Sequence, residues 1–156
     1  MRLNKLSDYA VLILIPLAQA WPEQRVVSAR SLSDVANLPL PTVAKLLKLL
    51  GHQGLVISTR GNTGGYQLAK HPDFVSVADI IEAVEGPVAL TECVTGSGTP
   101  CSVEDFCWMR GRWDPVNHAV ATALKEVSLR DMMPQPFTFE PTFDERMAAR
   151  PVDSTR

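Results

Sequence analysis

The segment Leu38-Pro39-Leu40-Pro41 constrains this chain more than any other. Proline has no backbone N–H and its ring crowds the preceding turn, so a helix cannot run through both prolines. The chain must turn there, and Pro41, with φ already fixed, suits the first position of a new helix. Beyond it TVAKLLKLLGHQG is amphipathic. Val43, Leu46, Leu47 and Leu50 form the apolar stripe, while Thr42, Lys45, Lys48 and His52 project elsewhere. Before the turn, Ser31 or Ser33 can start a brief helix through Val35 and Ala36. Two short helices across a tight turn, the second basic on its open face, form a helix-turn-helix pattern.

The flanking segments extend that pattern on both sides. In LVISTRGNTGGYQLAK, Leu55 to Ser58 reads as a strand, RGNTGG as a turn and Tyr66 to Ala69 as the return strand. A basic-tipped hairpin directly after a helix-turn-helix is a wing. Near the start, Ser7 can cap a helix that begins at Asp8 and Tyr9 and runs to about Trp21. Pro16 predicts a kink or a break inside it. Val26 and Val27 read as a short extended stretch. Downstream, Ser76 and Asp79 form a capping box and Gly86 is a natural stop. Ser102 with Asp105 repeats the box and predicts a short helix holding Cys107. Asp114-Pro115 opens a further helix, in which Val116, Ala119, Val120, Ala123, Leu124 and Val127 share a stripe. The expected use of that stripe is packing against a second copy; packing on its own domain is the alternative. After Met133, four prolines among scattered charges read as a mostly unstructured tail. The fold class expected is mainly α with a small β wing. Residues 1–86 form a winged helix-turn-helix, 87–112 a cysteine loop, 113–133 a dimerisation helix and 134–156 the tail.

Charge divides along the same boundary. Residues 1–70 carry eight Lys/Arg against three Asp/Glu, and residues 71–156 carry seven against fourteen. A basic half joined to an acidic half is expected if the first half meets a polyanion. The apolar run Ala10 to Ala20 is too short to cross a membrane and predicts a buried helix in a cytoplasmic protein. No nucleophile constellation or nucleotide-binding loop is visible, which argues against an enzyme.

Cys93, Cys101 and Cys107 are the only cysteines, separated by seven and five residues. An odd set without a secretion signal argues against a disulfide framework. A glycine-bearing loop that gathers thiols suits a soft metal or cluster. Zinc with a histidine, a bare thiol switch, and three unrelated thiols are the competing readings.

The segments SDYAVLIL, VSARSLSDVANLPLPTVAKLLKLLGHQGLV and STRGNTGGYQLAK, followed by three cysteines, together resemble the winged-helix iron–sulfur transcription regulators. That family includes the cluster-assembly repressor IscR and the nitric-oxide sensor NsrR. LNKLSDYA and PTVAKLLKLL look most like regulators of the SUF cluster-assembly operon. The resemblance covers about residues 1–133. It implies a homodimer on a palindromic DNA operator, with one iron–sulfur cluster per subunit held by Cys93, Cys101 and Cys107. Some members place a histidine three residues after the last cysteine; Arg110 stands there in this chain. Others use an acidic residue from the partner's first helix, a slot that Asp8 matches. Glu92, Glu104, Asp105 and His118 are weaker candidates. Cluster nuclearity, [2Fe-2S] or [4Fe-4S], does not follow from the spacing.

The DNA contacts expected are Thr42, Val43, Lys45 and Lys48 on the recognition helix, and Arg60, Gly61, Asn62 and Thr63 at the wing tip. The cations neutralise phosphates, while Thr42 and Ala44 have little hydrogen-bonding reach toward bases. Arg60 in the minor groove would supply shape readout. Trp108 and Trp113 flank the third cysteine as core or interface anchors or as a shield for a cluster. His52 and His71 are expected to be surface residues. The function expected is a cluster-sensing repressor of SUF-type genes. The alternatives are a zinc- or thiol-dependent regulator of the same fold and, more remotely, an iron–sulfur electron carrier.

Overall fold

A computed structural model describes residues 3–61, 64–94, 96–97 and 107–134. Helix α1 spans Lys5–Gln19, α2 Ala29–Ala36, α3 Leu40–His52, α4 Val77–Glu85 and α5 Asp114–Glu126. Strands β1 (Val56–Thr59) and β2 (Gly65–Leu68) form an antiparallel hairpin between α3 and α4.

Capping explains where the helices start. The cap of α1 is Asn4, whose Oδ1 accepts the Leu6 N–H at 3.2 Å. Ser7, expected in that role, lies buried in the first turn and donates its hydroxyl to Glu85 of α4. Glu85 Oε1 also accepts the Asn4 N–H at 3.1 Å. The helix continues through Pro16 to Gln19. The carbonyl that loses its donor there belongs to Leu12, a residue on the exposed side where water can replace the bond. Helix α2 begins earlier than expected because Ser28, not Ser31 or Ser33, is its cap. Ser28 Oγ accepts the Ser31 N–H at 3.0 Å. Asn37 closes the helix in the left-handed region, φ 52°, and Ser33 Oγ donates to the Leu38 carbonyl at 2.6 Å. Helix α3 is capped at Pro39 and places Pro41 in its first turn, where no N–H is missed. The Ser76–Asp79 capping box of α4 is present, with Gly86 ending the helix at φ 91°.

The hairpin pairs Val56 with Leu68 and Thr59 with Gly65, one residue later on β1 and one earlier on β2 than the pattern suggested. Val27 joins it as a third, single-residue rung. Val27 donates to the Tyr66 carbonyl at 2.9 Å and accepts the Tyr66 N–H at 2.8 Å. A Cβ on Gly65 would stand 2.6 Å from the Val27 carbonyl oxygen, so this rung requires glycine.

The core gathers one face of each of α1, α2, α3 and α4 with the base of the hairpin. Ile13, Leu14, Leu17, Leu32, Leu46, Leu50, Leu55, Leu68 and Ile80 are at its centre. The stripe of α3 is the expected one: Val43, Leu46, Leu47 and Leu50 are all buried.

The expected helix 113–133 is shorter. It stops at Glu126, and Val127 is extended. Residues 127–129 then pair with 75–77: Val77 donates to the Val127 carbonyl at 2.9 Å and Leu129 to the Val75 carbonyl at 2.7 Å. Leu129 is fully buried in the core. Asp131 holds the next turn, accepting the Ser128 N–H and hydroxyl at 2.9 and 2.6 Å. Burying Leu129 in the core outweighs further helix. The expected helix from Ser102, and the tail from residue 135, lie outside the described residues.

Candidate functional site

Two surfaces matter. The first lies on α3 and the hairpin. With the α3 stripe buried, Ala44, Lys45, Lys48 and His52 are turned out and exposed. Lys48 and His52 line a groove of about 410 Å³ whose far wall is Val56, Ser58 and Tyr66 of the hairpin. On the other side of the hairpin, Ser28 and Ala29 of α2 face Arg60, Gly61 and Gly64 across about 470 Å³. No ion pair among the described residues involves Lys45, Lys48 or Arg60. Their charges face solvent, which suits a polyanion. Val43, expected at this surface, is wholly buried and packs in the core, so its side chain cannot reach DNA. Thr42 is half-buried, and Gly61 takes φ 122° at the hairpin tip. Asn62 and Thr63 lie outside the described residues.

The second surface is the cysteine region. Cys93 and Cys107 are both free thiols and both partly exposed. Thr91 Oγ1 lies 3.3 Å from Cys93 Sγ, and the Arg110 N–H bonds the Cys107 carbonyl at 3.1 Å. Cys101 is outside the described residues. Among the described residues, no three His, Cys, Asp or Glu side chains gather into a metal-holding group. Asp8 is exposed in the first turn of α1, one residue past Ser7 and its bond to Glu85. Trp108 is 80% exposed, far more than a core anchor would be.

Helix α5 lies beyond the cysteines. It packs against α4 but leaves Trp113, Val116, Ala119, Ala123 and Val127 exposed. Asn117 is its one buried residue. The Asn117 Oδ1 accepts the Leu90 N–H at 2.9 Å, and its Nδ2 donates to the Val88 carbonyl at 2.9 Å. Residues 86–93, which carry Cys93, are thereby strapped to α5. Beneath the strap is a space of about 230 Å³ walled by Leu3, Ile81, Glu85 and Leu124.

Reading the residues alone missed Asn117, Glu85 and Ser28. Ser28, a hydroxyl between Val27 and Ala29 just before a helix, carried a local signal; the bonds of Glu85 and Asn117 run to distant segments and carried none. His71, expected at the surface, has a side chain 39% exposed; its ring meets Trp21 edge-on at 5.8 Å and its Nδ1 accepts the Asp73 N–H.

Helix, turn, basic second helix and hairpin, with cations unpaired among the described residues along one side, define a winged-helix DNA-binding transcriptional regulator. The family model that matches residues 3–135 is Rrf2, described as iron-dependent transcriptional regulators. The chain belongs to the Rrf2 family. It is similar to the HTH-type transcriptional regulator NsrR of Shouchella clausii, 24% identical over 85% of this chain and 89% of that one. Among solved structures it is similar to CymR, the global cysteine regulator of B. subtilis. That match has TM-score 0.66 and 29% identity, over 85% of this chain and 95% of the other. It is also similar to T. potens IscR, with TM-score 0.62 and 28% identity over 88% and 95%. These relatives are regulators rather than enzymes, which sets the electron-carrier reading aside. No helix among the described residues is long and apolar enough to cross a membrane.

Proposed function

We propose that this chain is a homodimeric, iron–sulfur-dependent repressor whose cysteine loop reports cluster supply to the DNA-binding heads. The observation that carries this is the position of the thiols. Cys93 and Cys107, free and partly exposed, bracket the loop that joins α4 of the winged module to α5. Soft thiolates without disulfide partners fit a cluster, [2Fe-2S] or [4Fe-4S], held by Cys93, Cys101 and Cys107. When bound, a cluster supplies chemistry sensitive to oxygen, nitric oxide and iron supply. Asp8 of the partner is the proposed fourth ligand; its exposure at the start of α1 leaves it free to reach across.

The exposed apolar side of α5 supports the dimer, since a lone helix of this length would not keep such a stripe in water. Two heads set by one pair of helices suit a palindromic operator. In that complex Thr42, Lys45 and Lys48 meet the major groove, while Arg60, Gly61, Asn62 and Thr63 meet the neighbouring backbone or minor groove. The likeness of LNKLSDYA and PTVAKLLKLL to SUF-operon regulators makes cluster-assembly genes the proposed targets.

Anaerobic purification tests the cofactor: stoichiometric iron and sulfide with visible absorbance are expected. A colourless, zinc-loaded or metal-free protein would instead favour a zinc or thiol switch, a reading to which the likeness to CymR lends weight. Equal operator binding by apo and cluster-loaded protein at every salt concentration would remove the sensing role.

A further inference from the structure

We infer that Asn117 is a positioning residue for Cys93: it locks the strap that carries the thiol to α5, so the two move as one body. This rests on the reading of Cys93 as a ligand but adds a component that reading does not contain.

The placement of the amide carries the argument. Asn117 is 8% exposed on a helix whose other side chains are partly or wholly exposed. Burying a carboxamide is costly unless both of its ends are bonded. Here the oxygen takes the Leu90 N–H and the nitrogen gives to the Val88 carbonyl, both at 2.9 Å. That pairing imitates an adjacent strand, and it satisfies two backbone groups of a segment with no ladder of its own. Cys93 lies three residues after Leu90, and Thr91 Oγ1 contacts its sulfur at 3.3 Å.

The other end of the strap is tied differently. Gly86 leaves α4 at φ 91°, and next to it Glu85 receives the Asn4 N–H and the Ser7 hydroxyl from α1. Between these ties the strap walls an open pocket of about 230 Å³ that it shares with Leu3, Ile81 and Leu124. A segment pinned at two points beside an open pocket has room to shift between them. Asn117 fixes where Cys93 sits. With the amide in place the thiol is registered to α5. Without it, only the chain on either side tethers the thiol.

Replacing Asn117 by leucine keeps the volume and removes both bonds. In reduced, metal-free, full-length protein, iodoacetamide should alkylate Cys93 faster by roughly tenfold, as expected for losing two part-buried hydrogen bonds from a local opening. Cys107 in the same molecules should be unchanged, and so should metal-free DNA binding. Cluster-loaded N117L should also lose its visible absorbance faster in the presence of a chelator. Equal acceleration at Cys93 and Cys107 would mean a merely structural role and would overturn the proposal, as would no acceleration at either. Should N117L fail to fold, Asn117→Asp carries the same test. It keeps the acceptor for Leu90 and removes the donor to Val88, so a smaller Cys93-selective ratio is expected. If wild-type protein never takes up a cluster, the ligand reading fails, while the alkylation ratio still decides whether Asn117 positions Cys93.

Discussion

Replacing Lys48 by alanine should flatten the salt dependence of DNA binding by a calculable amount. Lys48 is exposed on α3, lines the groove facing the hairpin, and takes part in no ion pair among the described residues. Alanine is a better helix former, so the variant loses a charge without losing the fold. The proposed dimer presents two copies. Each phosphate neutralised contributes about −0.9 to the slope of log K against log salt, so losing two changes the slope by about 1.8. Raising salt from about 50 to about 200 mM should then weaken wild-type binding about 12-fold more than it weakens the variant. Fluorescence anisotropy with a labelled palindromic promoter duplex, repeated across that range, reads the slope directly. An unchanged slope would refute the placement of Lys48 on a phosphate, even if affinity fell. A lowered melting temperature would show that the lysine supports the fold instead.

Leu46→Ala empties a fully buried site at the centre of the core and should cost about 2–5 kcal/mol, read as a lower urea midpoint. Gly65→Ala drives a Cβ to within 2.6 Å of the Val27 carbonyl and strains the Val27–Tyr66 rung. A loss of about 1–3 kcal/mol in chemical denaturation and weaker operator binding are expected. Asp131 is held below the usual carboxylate range, first by the Ser128 hydroxyl and then by the Ser128 N–H. A depressed folded-state value means its contribution is present at neutral pH and is lost as pH falls through that value. Carboxyl NMR titration should therefore show a low midpoint for Asp131 that rises in Ser128→Ala.

The winged module was legible because its signals are local. The four-residue stripe Val43, Leu46, Leu47, Leu50 named the buried face of α3, and two prolines named the turn before it. Where several hydroxyls competed for a cap, sequence could not rank them. Ser28 displaced Ser31 and Ser33 because extended backbone at Ser28 let its oxygen reach an N–H three residues on. Asn4 displaced Ser7 because the hydroxyl of Ser7 was taken by a carboxylate 78 residues away. Val43 was assigned both to the apolar stripe and to the DNA surface, and the core claimed it, since one side chain on a helix faces one way. The thiols were plain as a group, but nothing in their spacing reveals how Cys93 is tethered.

By itself the sequence determined the order of helices and hairpin, the inward face of α3 and the basic character of its outward face. Each follows from periodicity, turn chemistry or composition within a few residues. Only the tertiary structure decided that α5 ends at Glu126 so that Leu129 can enter the core, that Glu85 closes the start of α1, and that Asn117 holds the strap of Cys93. Those outcomes depend on which backbone groups lack partners once distant segments meet. A competition among groups 27 to 81 residues apart leaves no local pattern to read.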